Sequence, residues 1–149
     1  MNLVLNALAN FVEDSCSMFC WIQVYNTVGV RWMGDLNGTH QLARNNNANW
    51  VGRLNTGTNQ TSNDSTPYDS VPHSFLMSRT GAAATDFYYD GVVDETTSTQ
   101  ASDFPPGAVT FQIHHNISAF GNAKIAFAGI GKGFNSTEAL AIHNAVAAA

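Results

Sequence analysis

Aromatic side chains beside amide-rich runs are the residues of this chain whose types and spacing best fit ligand binding. Trp32 is close to Asp35 and Asn37 in the run RWMGDLNG, and Trp50 follows an amide-rich run that contains Asn47. A sugar stacks an apolar C–H face on an aromatic ring, and its hydroxyls need amide or carboxylate partners. These five residues are therefore candidates for a glycan-binding site.

Tyr68 is the sixth candidate of this set. It is the one apolar residue in the polar segment 55–70, NTGTNQTSNDSTPYDS, which we expect to be a solvated loop. Loops of this length are usually functional or mobile. The alternative interpretation is that Trp32 and Trp50 belong to a hydrophobic core, and we expect this of at least one of them.

The side chains that could carry out catalysis do not form a catalytic pattern, so no catalytic residue is named. Asp94 and Glu95 are adjacent, as are His114 and His115, so in a strand the members of each pair face opposite ways. Glycoside hydrolysis needs two carboxylates that face each other across a cleft. The chain also lacks a GxSxG motif and a complete phosphate loop. We predict that it is not an enzyme; a fragment of a carbohydrate enzyme is disfavoured.

Cys16 and Cys20 are the only cysteines, and they are four residues apart in a run that we expect to be a strand. On one face of a strand their Cα atoms are about 13 Å apart, and a disulfide needs about 7 Å or less. No CxxC motif and no His or Cys pair has the spacing of a zinc site. We predict two free, mostly buried thiols and no zinc.

The charge of the chain excludes two classes of partner. Among 149 residues, Lys and Arg number 6 and Asp and Glu 11, for a net charge of −5. So few basic residues cannot neutralise the phosphates of a nucleic acid or attract an anionic membrane surface. No apolar run approaches the roughly 20 residues that cross a bilayer. The first residues, MNLVLNALANF, lack the basic residues of a signal peptide. In the rest of the chain, amide and hydroxyl side chains take the place of charged ones.

The elements that must position these residues are short strands and one helix. Asn135 and Glu138 have the spacing of a capping box, and the Ala-rich run after them predicts a helix over 137–148. Asp90-Gly91 predicts a two-residue hairpin turn. Turn-punctuated strands at this spacing indicate a sandwich or a barrel, here as a single domain over 1–149. The predicted strands are 19–25, 28–33, 41–44, 49–54, 73–79, 87–93, 109–115 and 124–129.

Two segments resemble a known family. HSFLMSRTGAAATDFYYDGVV resembles the hairpin of laminin-G-like, or concanavalin A-like, lectin domains. KIAFAGIGKGFNSTEALAIHNAV resembles the closing segment of the version found in tail and other virion proteins of bacteriophages, and EDSCSMFCWIQV fits an earlier strand. The resemblance covers about residues 13–146. It implies an all-β, two-sheet antiparallel jelly-roll sandwich with a short C-terminal helix.

The resemblance also implies a function. Domains of this family commonly bind glycans through loops at one edge, in some cases with a calcium ion, for which Asp35 is the only candidate ligand here. We therefore expect a non-enzymatic, lectin-like structural protein on the virion surface that attaches to host or environmental glycans. The alternative is a capsid or tail decoration protein that stabilises the particle and binds no sugar.

The expected partners are other virion proteins, cell-surface glycans and copies of the chain itself in a homo-oligomer. The family has further strands before the acidic segment that begins at Glu13, whereas only residues 1–12 precede it here. Either the run NLVLNALANF supplies a shortened strand or a sheet edge stays open for a neighbouring subunit.

Overall fold

The computed structural model describes residues 2–5, 15–23, 31–35, 40–44, 49–54, 59–65, 71–82, 84–98, 109–113 and 124–149. Within these ranges the chain forms eleven strands and one helix. In chain order they are β1 (Asn2–Leu5), β2 (Cys16–Gln23), β3 (Arg31–Asp35), β4 (His40–Arg44), β5 (Asn49–Leu54), β6 (Gln60–Ser65), β7 (Pro72–Gly81), β8 (Ala84–Tyr89), β9 (Val92–Ser98), β10 (Val109–Ile113), β11 (Lys124–Gly131) and α1 (Ser136–Ala147).

The strands form two antiparallel sheets, which confirms the predicted all-β sandwich with a short C-terminal helix. The six-stranded sheet has the order β1-β10-β3-β4-β5-β6, and the five-stranded sheet has the order β11-β2-β7-β8-β9. Strands remote in sequence are therefore neighbours: β1 pairs with β10, and β11 with β2. Of the two alternatives for the N-terminal run, the structure shows the shortened strand.

The alternation of β2 explains how one strand serves both faces of its sheet. Cys16, Met18 and Cys20 are buried in the core between the sheets, whereas Phe19 belongs to a second apolar cluster that includes Ala139 of α1. Successive side chains of a strand point to opposite faces, so α1 covers the outer face of the five-stranded sheet. Neither cysteine is in a disulfide, and both are buried on one face, as their spacing predicted.

Arg79 in β7 is buried and connects the two sheets. Its guanidinium group donates hydrogen bonds to the carbonyl oxygens of Leu54 in β5, Gly81 and Ala82, at 3.0, 3.3 and 3.1 Å. Next to it, the Ser78 hydroxyl exchanges hydrogen bonds with the backbone of Phe134, just before α1. Ser78 and Arg79 belong to the segment that resembles the lectin hairpin. Arg79 connects the two sheets, and Ser78 holds the backbone just before α1.

The local signals for the turn and the helix are confirmed. Asp90 and Gly91 have φ angles of 49° and 79°, and positive φ at both positions is typical of a two-residue hairpin turn. The Asn135 side chain accepts from the Glu138 backbone, and the Glu138 side chain accepts from the Asn135 backbone. This capping box starts α1 one residue earlier than predicted. No helix of the described ranges is long and apolar enough to cross a membrane.

The prediction that residues 55–70 are a solvated loop is wrong, because β6 lies within this segment. β6 pairs with β5, and its Gln60 and Ser62 are buried. The Ser62 hydroxyl accepts a hydrogen bond from the Trp50 backbone at 3.1 Å. Pairing with β5 and the contacts of Ser62 thus stabilise a strand most of whose residues have low strand propensity. His114 and His115, which the prediction placed at the end of a strand, lie outside the described residues.

Candidate functional site

Trp32 and Trp50 lie in the hydrophobic core, each with only 1% of its surface exposed. The centroid of the Trp32 ring is 4.6 Å from that of Phe75, and the Trp50 ring is 5.5 Å from Phe75 and 4.5 Å from Phe87. Stacking on a sugar needs an open ring face, which neither side chain has. This corrects the prediction that they are glycan contacts: both are core residues, because each points from its strand toward the other sheet.

The structure does not describe the side chains of the other four candidates, so it does not bring them together into one site. Asn37, Asn47 and Tyr68 lie outside the described ranges. Asp35 is the last residue of β3, and the structure describes its backbone but not its side chain. Among the residues that the structure does describe, no group of three His, Cys, Asp or Glu side chains could hold a metal ion. The calcium role of Asp35 therefore stays a prediction.

Three polar residues of the six-stranded sheet form a hydrogen-bonded group, which we name the polar triple: Gln41, Arg53 and Asn59. Gln41 and Arg53 are direct partners in the register of β4 with β5. Their neighbours Leu42 and Leu54 are in the core, so the two polar side chains point to the outer face. Nε2 of Gln41 and Nε of Arg53 both donate to Oδ1 of Asn59, at 2.6 and 2.7 Å.

This geometry fixes the orientation of an exposed amide. Two donors hold the oxygen of the Asn59 side chain, so its Nδ2 group is directed away from them. Asn59 itself is exposed, and Gln41 is buried. The sequence did not reveal this group, because Asn59 falls in the segment predicted to be a loop. The pairing of Gln41 with Arg53 also depends on a strand register that a single sequence does not show.

A second polar cluster connects α1 with the turn between β8 and β9; it consists of His73, Ser74, Asp90 and His143. Nδ1 of His73 is 2.7 Å from Oδ2 of Asp90, and the Ser74 backbone donates to Oδ1 of the same carboxylate at 2.9 Å. The Ser74 hydroxyl is 2.9 Å from Nδ1 of His143 in α1. The cluster thus brings a serine, a carboxylate and two histidines together.

The geometry of this cluster is not that of a hydrolase. In a serine hydrolase the histidine contacts the serine through one ring nitrogen and the carboxylate through the other. Here the same nitrogen of His143, Nδ1, is near both Ser74 and Asp90, with 3.8 Å to the carboxylate. The Ser74 hydroxyl is also buried and already engaged with His143. The contacts hold the helix in place instead.

An apolar groove of about 330 Å³ lies between α1 and the outer face of β2 and β11. Phe19, Phe127, Phe134, Ile142 and Val146 form most of its walls. Phe127 is 50% exposed, although most large apolar side chains of the described core are buried. Walls of this kind offer almost no partners for sugar hydroxyls, so this groove is not a glycan site of the predicted type.

Solved structures with the same fold are found, although no family model and no curated protein matches the chain. The binding domain of Paraclostridial Mosquitocidal Protein 1 superimposes with a TM-score of 0.68 at 12% identity, over 97% of this chain and 41% of that chain. Domain 4 of AbnA, a GH43 extracellular arabinanase from Geobacillus stearothermophilus, was solved with arabinotriose. It gives a TM-score of 0.66 at 12% identity, over 87% of this chain and 66% of that one.

A third similar structure belongs to botulinum neurotoxin type C, whose cell entry is described as dependent on two ganglioside molecules. Its TM-score is 0.66 at 16% identity, over 93% of this chain and 37% of that chain. The chain therefore spans between about two fifths and two thirds of the length of these structures. At such identities the likeness shows the fold alone: a β-sandwich that carbohydrate-binding and receptor-binding domains also adopt.

Proposed function

We propose that the chain is a non-catalytic recognition module that binds carbohydrate, and that the polar triple is part of its binding surface. The observation that carries the proposal is the exposed amide of Asn59, whose oxygen is held by Gln41 and Arg53. An amide that is already oriented loses little conformational freedom when it binds a sugar hydroxyl. The arabinotriose and ganglioside associations of proteins with this fold support the same class of ligand.

One site of this kind binds carbohydrate with low affinity, so we expect the module to act where many copies are displayed together. Each hydrogen bond contributes about 0.5 to 1.5 kcal/mol net. Attachment through sites of this strength needs many copies that bind together. A virion surface provides such an array, and segment 124–146 resembles the closing segment of the version of this domain found in bacteriophage virion proteins. We therefore place the module on the outside of a virion, with other virion proteins and further copies of the chain as neighbours.

One observation favours the alternative, a decoration protein that stabilises the particle without binding sugar. Several large apolar side chains are exposed, among them Phe127 at 50% and Val92 at 65%. Exposed apolar surface is typical of contacts with other proteins. Antibody labelling of intact particles of the virus that encodes the chain tests both proposals for location: label on the particle surface is expected, and its absence would contradict both.

The carbohydrate proposal is tested with the chain displayed in many copies on beads and applied to a glycan array. Asn59→Ala should lose most of the signal, because the oriented donor is gone. Asn144→Ala, at an exposed asparagine of α1, is the matched control and should bind like the unchanged chain. Asn144→Ala should keep the original melting temperature, whereas Asn59→Ala should lower it because Gln41 and Arg53 lose their acceptor, so binding is compared at a temperature at which both variants are folded. Equal binding by Asn59→Ala, or no signal from the unchanged chain, would overturn the proposal.

A further inference from the structure

We propose that the apolar groove beside α1 binds a small uncharged molecule with an aromatic or aliphatic body and one hydrogen-bonding group, such as a phenol, an indole or a fatty alcohol. This site is separate from the polar triple, which lies on the other sheet. It is also distinct in chemistry, because its ligand is apolar.

The walls of the groove select an apolar body. Phe19 and Phe127 meet edge to face with their ring centroids 5.6 Å apart, and Phe134 adds a third ring. Ile142 and Val146 of α1 form the opposite side. None of the described lining residues is charged. Aromatic and aliphatic walls of this kind gain from contact with apolar ligand surface.

Two small residues keep the groove open. Gly129 of β11 and Ala145 of α1 are both on its lining. A Cβ atom added at Gly129 would meet only the Phe127 ring, at 3.5 and 3.9 Å, so a side chain there would extend into the groove without a backbone clash. The volume of about 330 Å³ is roughly twice that of a cavity that binds benzene, and it lies in the range of ligand pockets. A bicyclic molecule or a medium-length chain matches this volume.

One polar atom marks where the hydrogen-bonding group of the ligand would lie. Ser17 lines the groove and is 1% exposed, and its hydroxyl has no hydrogen-bond partner within the described part of the chain. Its cross-strand neighbour Ser78 has two, both with the backbone of Phe134. Buried polar atoms are nearly always partnered, so the Ser17 hydroxyl, buried beneath the groove surface, is the group that a ligand with one donor or acceptor would satisfy once the side chains over it move aside.

The charges near the groove exclude an ionic ligand. Nζ of Lys132 lies 5.8 Å from the centroid of the Phe134 ring, and it is 2.6 Å from Oε1 of Glu138. The lysine is thus already paired with a carboxylate. A charged ligand would lose its hydration in the groove without gaining a counter-ion, so a fatty acid or an aromatic acid should bind less well than the corresponding alcohol.

Titration calorimetry with 2-naphthol, naphthalene and 2-naphthoate tests the proposal on the full chain. 2-Naphthol should bind in a saturable way, and 2-naphthoate should bind about tenfold more weakly or not at all. Ser17→Ala should reduce the affinity for 2-naphthol toward that for naphthalene and leave the latter unchanged. Asn59→Ala should have no effect, which separates this site from the proposed carbohydrate site.

Filling the groove gives a second, independent test. Ala145→Leu should abolish binding of 2-naphthol and keep or raise the melting temperature, because the new side chain occupies empty apolar space. Gly129→Leu, from the opposite wall, serves the same purpose if the first variant folds poorly. Ala147→Leu, at an exposed position of α1 that does not line the groove, is the control and should bind normally. Absence of saturable binding to the unchanged chain, or normal binding by the folded filled variants, would overturn the proposal.

Discussion

The hydroxyl of Ser74 in β7 lies 2.9 Å from Nδ1 of His143 in α1, and the contact joins residues 69 positions apart. The turn between β8 and β9 lies next to this contact. A Cβ atom at Gly91 would be 3.0 Å from the Cβ of His143, so the glycine allows the helix to approach the turn closely. The position of α1, and with it the wall of the groove, thus depends on a polar contact as well as on apolar packing.

The first prediction concerns this contact. Ser74→Ala and His143→Ala should each destabilise the fold by about 1 kcal/mol, because each removes one partner of a part-buried hydrogen bond. The double variant should cost less than the sum of the two, since both changes remove the same interaction. Urea unfolding of the four proteins measures the coupling, and Asn144→Ala is an exposed control on α1. Strictly additive costs would show that the two side chains do not stabilise each other.

The second prediction concerns the start of α1. Asn135→Ala removes the N-cap acceptor and should cost about 0.5 to 2 kcal/mol. Glu138 accepts from the Asn135 backbone and from Nζ of Lys132, at 3.0 and 2.6 Å. The hydrogen bond from Lys132, followed by that from the Asn135 backbone, holds the pKa of the Glu138 carboxyl below its usual range.

The lowered pKa gives a pH dependence with a definite sign. A carboxyl with a lower pKa in the folded chain stabilises the fold above its unfolded pKa, and this contribution is lost as the pH falls through the folded value. The stability difference between the unchanged chain and Glu138→Gln should therefore be largest near neutral pH and shrink in acid. Urea unfolding from neutral pH to about pH 3 measures it. A difference that is constant with pH would contradict the ion pair.

How far the sequence predicts the structure depends on whether the signal is local. The Asp90-Gly91 turn and the Asn135 cap are set by neighbouring residues, and both were predicted. β6 was missed because its stability comes from pairing with β5 and from the contact of Ser62 with Trp50, which are not local. The polar triple was missed for the same reason, since it depends on the register of β4 with β5.

The third prediction concerns the thiols. Cys16 and Cys20 are buried and not bridged by a disulfide, and burial raises the pKa of the Cys20 thiol far above its usual value. The thiolate is the reactive form, so the folded chain should not react with iodoacetamide at neutral pH. In denaturant without reductant, both cysteines should be alkylated, as intact-mass analysis would show. Failure of either to react after denaturation would indicate a modified or bridged cysteine.

The last prediction separates a core tryptophan from one that binds a ligand. Trp50→Ala should destabilise the fold by about 3 to 5 kcal/mol, because the ring is buried against Phe75 and Phe87 and its removal leaves a cavity. Phe127→Ala, which shortens a half-exposed aromatic side chain, should cost clearly less in the same urea titration. If Trp50→Ala instead kept the stability of the unchanged chain and abolished binding on the glycan array, its ring would be a sugar contact. The predicted loss of stability follows from burial alone, so it holds whether or not the polar triple binds carbohydrate.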